Sequence, residues 1–368
     1  MSKGRNAALA GLALGLAIGT ARRIQTGRAK AAPAPSGACG RRTTVTTDDG
    51  VGLAVEIDDH PDPRCAVVFA HGWLMNRQCW QLQREALAGL GTLVFYDQRG
   101  HGDSSAGALE ACTIDRLGDD LAAVIEAAVP EELPVVLVGH SMGGMTIMAL
   151  ADRHPALVES RVAGAALLST SSGGLDAATF GLPGPLGRLA PRVTPVLFES
   201  MLARAAVIDA RPRVKGWTNL PVTRYVAFGK GASRRHIRVV NAMATATPTE
   251  VMVGFFRDFR VHDKFAALKA LQRTRTLVMV GERDRLTPLA HSRRIAQALP
   301  DARFVRIRGA GHMIGFERSG LVNRELAGLI ERAAPDPAPR PTPRPTPGPT
   351  PGPTPGPAPD PAPGGSAA

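Results

Sequence analysis

The stretch VGHSMGGMTI, residues 138–147, places Ser141 between Gly139 and Gly143 directly after a β-branched and leucine run at 134–138. A serine at a sharp strand-to-helix turn is pushed out by strained backbone, and only small residues two positions either side avoid collision. A helix starting at Met142 then points its free N–H groups and its dipole at negative charge forming on the serine. The pattern suits a nucleophile; a small residue in a tight turn is the plain alternative.

A serine nucleophile needs a base, and the base needs an acid to orient it. Asp284 in VGERDRLTP follows a strand-like run at 276–280, and His312 in GAGHM follows another at 304–307. The 28 positions that separate them suit one helix and one strand. The order Ser, Asp, His is the one expected when the serine sits on a nucleophile elbow. Glu282 is the rival acid two residues earlier, and Asp176 is a poorly placed candidate from another loop. His71, His101 and His140 belong to loops at the same sheet end and are read as hydrogen-bonding supports. The loop of Arg99 and Gly100 is read as structural, with pocket lining as the alternative.

These side chains need a scaffold. Strand-like runs fall at 51–57, 66–70, 92–96, 134–138, 162–168, 275–280 and 302–307, with helix-like runs at 77–88, 114–128, 142–151, 289–299 and 321–332. Apolar strands alternating with helices predict an α/β fold, a mostly parallel sheet covered on both faces, with ligands bound beyond the carboxyl ends of the strands. The stretch 172–265 breaks the alternation and is rich in proline. It is too long for a structureless loop and predicts an inserted helical cap whose helices are mostly short. The core is then 41–171 plus 266–334.

Neither end reads as core. Residues 7–21 form an uncharged apolar run flanked by bases, shorter than a membrane span and similar to the apolar part of a signal peptide. With the linker to residue 40 it predicts export or membrane association. The surplus of bases after the run points instead to a core kept in the cytoplasm. Residues 335–368 alternate proline with other residues and predict a disordered, extended tail.

The chain has 368 residues, 44 Lys and Arg against 32 Asp and Glu, and a net charge of +12. The excess concentrates between 182 and 240, where 11 bases meet only Glu199 and Asp209. Without interleaved aromatics or a helix-turn-helix pattern, nucleic acid is not expected as a partner; a solvated basic face or an anionic membrane surface is. Cys39, Cys65, Cys79 and Cys112 have no CxxC or metal-ligand spacing and read as free thiols, so no metal or cofactor is expected.

Five segments in order carry a resemblance: HGW at 71–73, YDQRGHGDS at 96–104, GHSMGG at 139–144, and the two loops of Asp284 and His312. Over about residues 43–333 the chain resembles an α/β-hydrolase of the lipase, esterase and peroxidase-like branch. The resemblance implies an oxyanion hole formed by the backbone N–H groups of Trp73 and Met142. It also implies a Ser-His-Asp serine hydrolase of carboxylic esters. Phe180, Leu186, Leu189, Val196, Phe198, Met243, Phe255, Phe256 and other apolar cap residues could line an acyl pocket, favouring a lipid-like ester. A cofactor-free perhydrolase or acyltransferase using the same triad, and a non-catalytic ligand-binding protein on this core, are the alternatives.

Overall fold

The computed structural model describes residues 40–334 and Gly356. The apolar run at 7–21, Cys39 and all of the proline-rich tail but Gly356 lie outside the described residues. Among the described residues no helix is long and apolar enough to cross a membrane.

Eight strands form one sheet: β1 (Arg41–Thr46), β2 (Gly52–Asp58), β3 (Ala66–Ala70), β4 (Thr92–Tyr96), β5 (Val135–His140), β6 (Val162–Leu168), β7 (Arg275–Gly281) and β8 (Arg303–Ile307). Their spatial order is β1-β2-β4-β3-β5-β6-β7-β8. Only β1 with β2 and β2 with β4 pair antiparallel; from β4 onward the sheet is parallel. This is the α/β-hydrolase fold. β1 carries no run-length apolar signal because Val45 alone of its residues is buried.

The central strands are buried on both faces, and their alternation divides the core. Val135 and Leu137 of β5 join Leu167, Ile147 and Leu121 on one side. Val136 and Val138 join Phe69, Leu168 and Leu326 on the other. Side chains two apart share a face, so one six-residue strand serves both layers.

The helices, in chain order, are α1 (Gln81–Leu87), α2 (Ile114–Ala128), α3 (Met142–Arg153), α4 (Pro155–Arg161), α5 (Gly184–Leu202), α6 (Ala205–Asp209), α7 (Pro212–Ala227), α8 (Arg234–Ala246), α9 (Thr249–Phe259), α10 (Leu289–Ala298), α11 (Ile314–Glu317) and α12 (Ser319–Ala333). The expected helix at 77–88 divides into a 3-10 turn, Arg77–Trp80, and α1. Helices α5 to α9 occupy the interval between β6 and β7. They are not mostly short: α5 has 19 residues and α7 has 16. Pro191 and Pro195 lie inside α5 and Pro221 inside α7. Each proline removes one backbone donor, but the bonds on either side carry the helix through.

Candidate active site

The turn between β5 and α3 forces Ser141 to φ 54° and ψ −116°, a region that side chains other than glycine rarely occupy. The turn is closed by contact. A Cβ on Gly139 would meet the Gly143 carbonyl oxygen at 2.4 Å, and one on Gly143 would lie 2.0 Å from the Ala70 carbonyl oxygen. Ser141 N–H donates to Leu168 O at 2.9 Å, and Thr170 Oγ1 donates to Ser141 O at 2.7 Å, tying the elbow to the end of β6. The Ser141 hydroxyl makes no capping bond to α3, although Ser141 is that helix's N-cap residue.

Asp284 and His312 meet in a buried pair, with His312 Nδ1 2.8 Å from Asp284 Oδ2. The other carboxylate oxygen accepts the N–H groups of Leu286 and Thr287, each at 2.9 Å, and Thr287 Oγ1 donates to Oδ2 at 3.0 Å. The carboxylate is therefore fixed on several sides before the imidazole adds its own bond. Glu282 turns outward instead, toward Arg306 at 3.7 Å and Gly309 N at 3.4 Å. Asp176 is exposed on its loop.

The loop of His312 is anchored from the helices between β6 and β7. His312 N–H and Met313 N–H both donate to Ala227 O at 3.0 Å. The half-buried carboxylate of Glu317 accepts Gly229 N–H and Gly311 N–H, each at 2.9 Å. Burial raises the Glu317 pKa, while the two N–H bonds favour the charged form. Thr287, Thr170 and Glu317 were not singled out in the sequence; Thr287 does fall inside the GERDRLTP segment, but the other two carry no local signal.

Gly72 brings the loop after β3 against the elbow, since a Cβ there would lie 3.3 Å from Ser141 Cβ. The N–H groups of Trp73 and Met142 make no hydrogen bond to any other of the described residues. The next residue, Leu74, has φ 60°, and its N–H donates to His101 Nε2 at 3.3 Å. His71 accepts Gln98 N–H at Nε2, 2.9 Å, while Gln98 Nε2 donates to His71 O at 2.5 Å. The three extra histidines are thus bonded to backbone: His71 and His101 hold loops together, and His140 bonds the carbonyl of His312 at 3.0 Å. Arg99 is fully buried and bonds Asp120 at 2.6 and 2.7 Å and Asp49 at 2.9 Å, which makes it a brace rather than a pocket wall.

The apolar residues between β6 and β7 divide by position. Phe198 and Phe256 stack at 3.9 Å, and both lie beside Trp73, at 6.1 and 6.4 Å, with Phe259 edge-on at 5.4 Å. Met243 and Phe255 are consumed by packing. Leu186, Leu189 and Val196, expected as possible pocket lining, face solvent instead. Cys65, Cys79 and Cys112 are free and buried.

A serine elbow after β5, an acid after β7 and a histidine after β8 on this sheet define the α/β-hydrolase class. The chain belongs to the alpha/beta hydrolase family, whose model matches residues 67–325. It is 27% identical over 235 residues to a monoacylglycerol lipase of Mycolicibacterium smegmatis, covering 63% of this chain and 74% of that protein. Over 112 residues it is 34% identical to a bifunctional esterase/perhydrolase of Acinetobacter calcoaceticus, covering 30% of this chain and 39% of that one. A solved esterase of Thermogutta terrifontis shares the fold, with TM-score 0.59 and 23% identity over 80% of this chain and 100% of its own.

Proposed function

We propose that this chain is a serine hydrolase of carboxylic esters. Ser141 is the nucleophile, His312 the general base and Asp284 the group that holds the imidazole. Ser141 Oγ bonds to the acyl carbon as its proton passes to His312 Nε2, and the carbonyl oxygen gathers charge opposite the N–H groups of Trp73 and Met142. His312 then gives the proton to the leaving alcohol as the ester C–O bond breaks. Water attacks the acyl-serine, passing a proton back through the same histidine, and the free acid departs. The observation that carries this reading is the buried 2.8 Å bond from His312 Nδ1 to Asp284, together with a strained serine whose hydroxyl is not used as a helix cap; among the described residues Ser141 Oγ and His312 Nε2 share no hydrogen bond.

The substrate in this reading is lipid-like. Phe198 and Phe256 gather beside Trp73, so an acyl chain leaving the oxyanion site would meet aromatic rather than polar surface. A second reading keeps the triad and replaces water with another acceptor, such as hydrogen peroxide; the likeness to the bifunctional esterase/perhydrolase favours it. Hydrolysis of p-nitrophenyl esters of increasing acyl length by the full chain and by Ser141→Ala tests both. Serine-dependent rates that climb with chain length support the lipid-like ester. Turnover that appears only when peroxide or an alcohol is added supports the second reading. Turnover that survives Ser141→Ala refutes both.

A further inference from the structure

Helix α7 carries apolar residues on both sides: Leu220, Val226 and Ala227 pack inward, and others face out. Its inner side holds Lys215, whose side chain is 5% exposed and donates to Asp209 and to Thr247 O, each at 2.7 Å. Thr223 on the same side donates to Asn241 Oδ1 at 3.1 Å. The outer side presents Val214, Trp217, Val222 and Tyr225, with Trp217 79% exposed. Tyr225 is only 39% exposed, its hydroxyl donating to Gly181 O at 3.0 Å and its ring lying under the Arg285 guanidinium. At 3.6 residues per turn these four fall within an arc of about 140°. A soluble helix normally turns its apolar arc to the core, so an arc turned outward marks a contact surface.

Charge decides what the contact is. Helix α8 lies against α7 and exposes Arg234, Arg235 and Arg238. None of the three makes an ion pair among the described residues. The two acids between 182 and 240 are already used, Asp209 by Lys215 and Glu199 by Arg257. A second copy of the chain would bring like charges together, and a nucleic acid backbone offers nothing to two valines. An anionic bilayer offers both acyl chains and negative headgroups, and Trp and Tyr are the aromatic residues favoured at that boundary.

We propose that α7 and α8 form a docking face for an anionic lipid surface, with Trp217 entering the interface and the arginines of α8 resting on the headgroups. The proposal stands apart from the reaction at Ser141. Turnover of a soluble ester by the same preparations keeps the two readings separate.

The test follows Trp217 in the full chain, as the difference in tryptophan emission between the chain and Trp217→Phe. With vesicles of phosphatidylglycerol and phosphatidylcholine in equal parts, this emission is expected to move to shorter wavelength and to be quenched by brominated acyl chains. Pure phosphatidylcholine is expected to give neither effect. Replacing Arg234, Arg235 and Arg238 together by Gln is expected to raise the lipid concentration for half quenching about a hundredfold, at about fivefold per base. Vesicle binding with Trp217 emission unchanged would assign attachment to another part of the chain and overturn the proposal. So would equal quenching in pure phosphatidylcholine. A shift without lipid that grows with protein concentration would assign the face to a second copy, and would overturn it too.

Discussion

His140 Nε2 lies 3.0 Å from the carbonyl oxygen of His312, and the two rings sit 4.8 Å apart. The residue before the proposed nucleophile thus carries the loop that bears the proposed base. A carbonyl only accepts, so His140 is the donor and is held with its proton on Nε2. His140→Phe removes that bond and is expected to lower kcat about 10- to 100-fold with little change in KM, because the imidazole of His312 loses its register with Ser141. His140→Gln, which retains a side-chain N–H, should recover part of the loss. Equal kcat in all three proteins would show that the bond plays no positioning role.

Ser141 stores backbone strain that glycine would not. At φ 54° and ψ −116°, a residue with a side chain costs on the order of 1–3 kcal/mol, partly offset by the entropy a glycine loses on folding. Ser141→Gly should therefore abolish serine-dependent turnover while stabilising the fold by about 1 kcal/mol. Urea unfolding beside the ester assay checks both halves. A less stable, inactive variant would contradict the strain argument.

The orienting role proposed for Asp284 has its own test. Asp284→Asn keeps the size of the side chain but removes the negative charge and sets an amide group against His312 Nδ1. The imidazole then tends toward the wrong tautomer, and kcat should fall on the order of 10³- to 10⁴-fold. Glu282→Gln, on an exposed side chain paired with Arg306, should change kcat less than twofold. Comparable losses from the two variants would argue against the acid chosen here.

The turn at Ser141 and the pairing of Asp284 with His312 were legible because each residue sits in a short loop whose composition follows from local constraints. Gly139 and Gly143 are demanded by contacts within 2.4 Å of their neighbours, so they mark the turn in any sequence that makes it. The parallel strands were legible because burial on both faces leaves continuous apolar runs. β1 was not, since its partner supplies the pairing while solvent faces most of its side chains. Helices α5 and α7 were misjudged in length because proline weakens a helix without always ending it. Thr170 and Glu317 were invisible for a different reason: they bond to backbone 29 and 88 positions away, and no local pattern encodes such a partner.

Arg99 separates bracing from substrate contact. Its guanidinium is fully buried and paired with Asp120, itself 1% exposed. Arg99→Leu would leave that buried carboxylate with only Arg116, at 4.0 Å, a loss of about 3–5 kcal/mol. Below the lowered melting temperature, KM for a soluble ester should stay unchanged, because the side chain lines no pocket. A raised KM at unchanged stability would return Arg99 to the substrate site.

Acid should unfold this protein through its loop histidines. Burial pulls the pKa of His71 to about 4 and those of His101 and His140 to about 3. The bonds agree with neutral rings: His71 and His101 each accept a backbone N–H at Nε2 and have a carbonyl at Nδ1, so a second proton would set two donors against each other. Above pH 6.5 neither the folded nor the unfolded chain protonates these groups, and their contribution to stability is complete. As pH falls from about 6.5 toward 4 the unfolded chain takes up protons that the folded chain refuses, and each histidine removes about 1.4 kcal/mol per pH unit. Below their folded pKa values both states are protonated and the dependence ends. The urea midpoint should therefore drop between pH 7 and pH 5 by an amount equivalent to several kcal/mol. His101→Gln, which can still donate and accept at this position, should reduce the slope by about one proton. A midpoint that holds constant from pH 7 to pH 5 would mean that these rings are free to take up protons in the folded protein, and that the loops carrying Trp73 and His312 are looser than their hydrogen bonds imply.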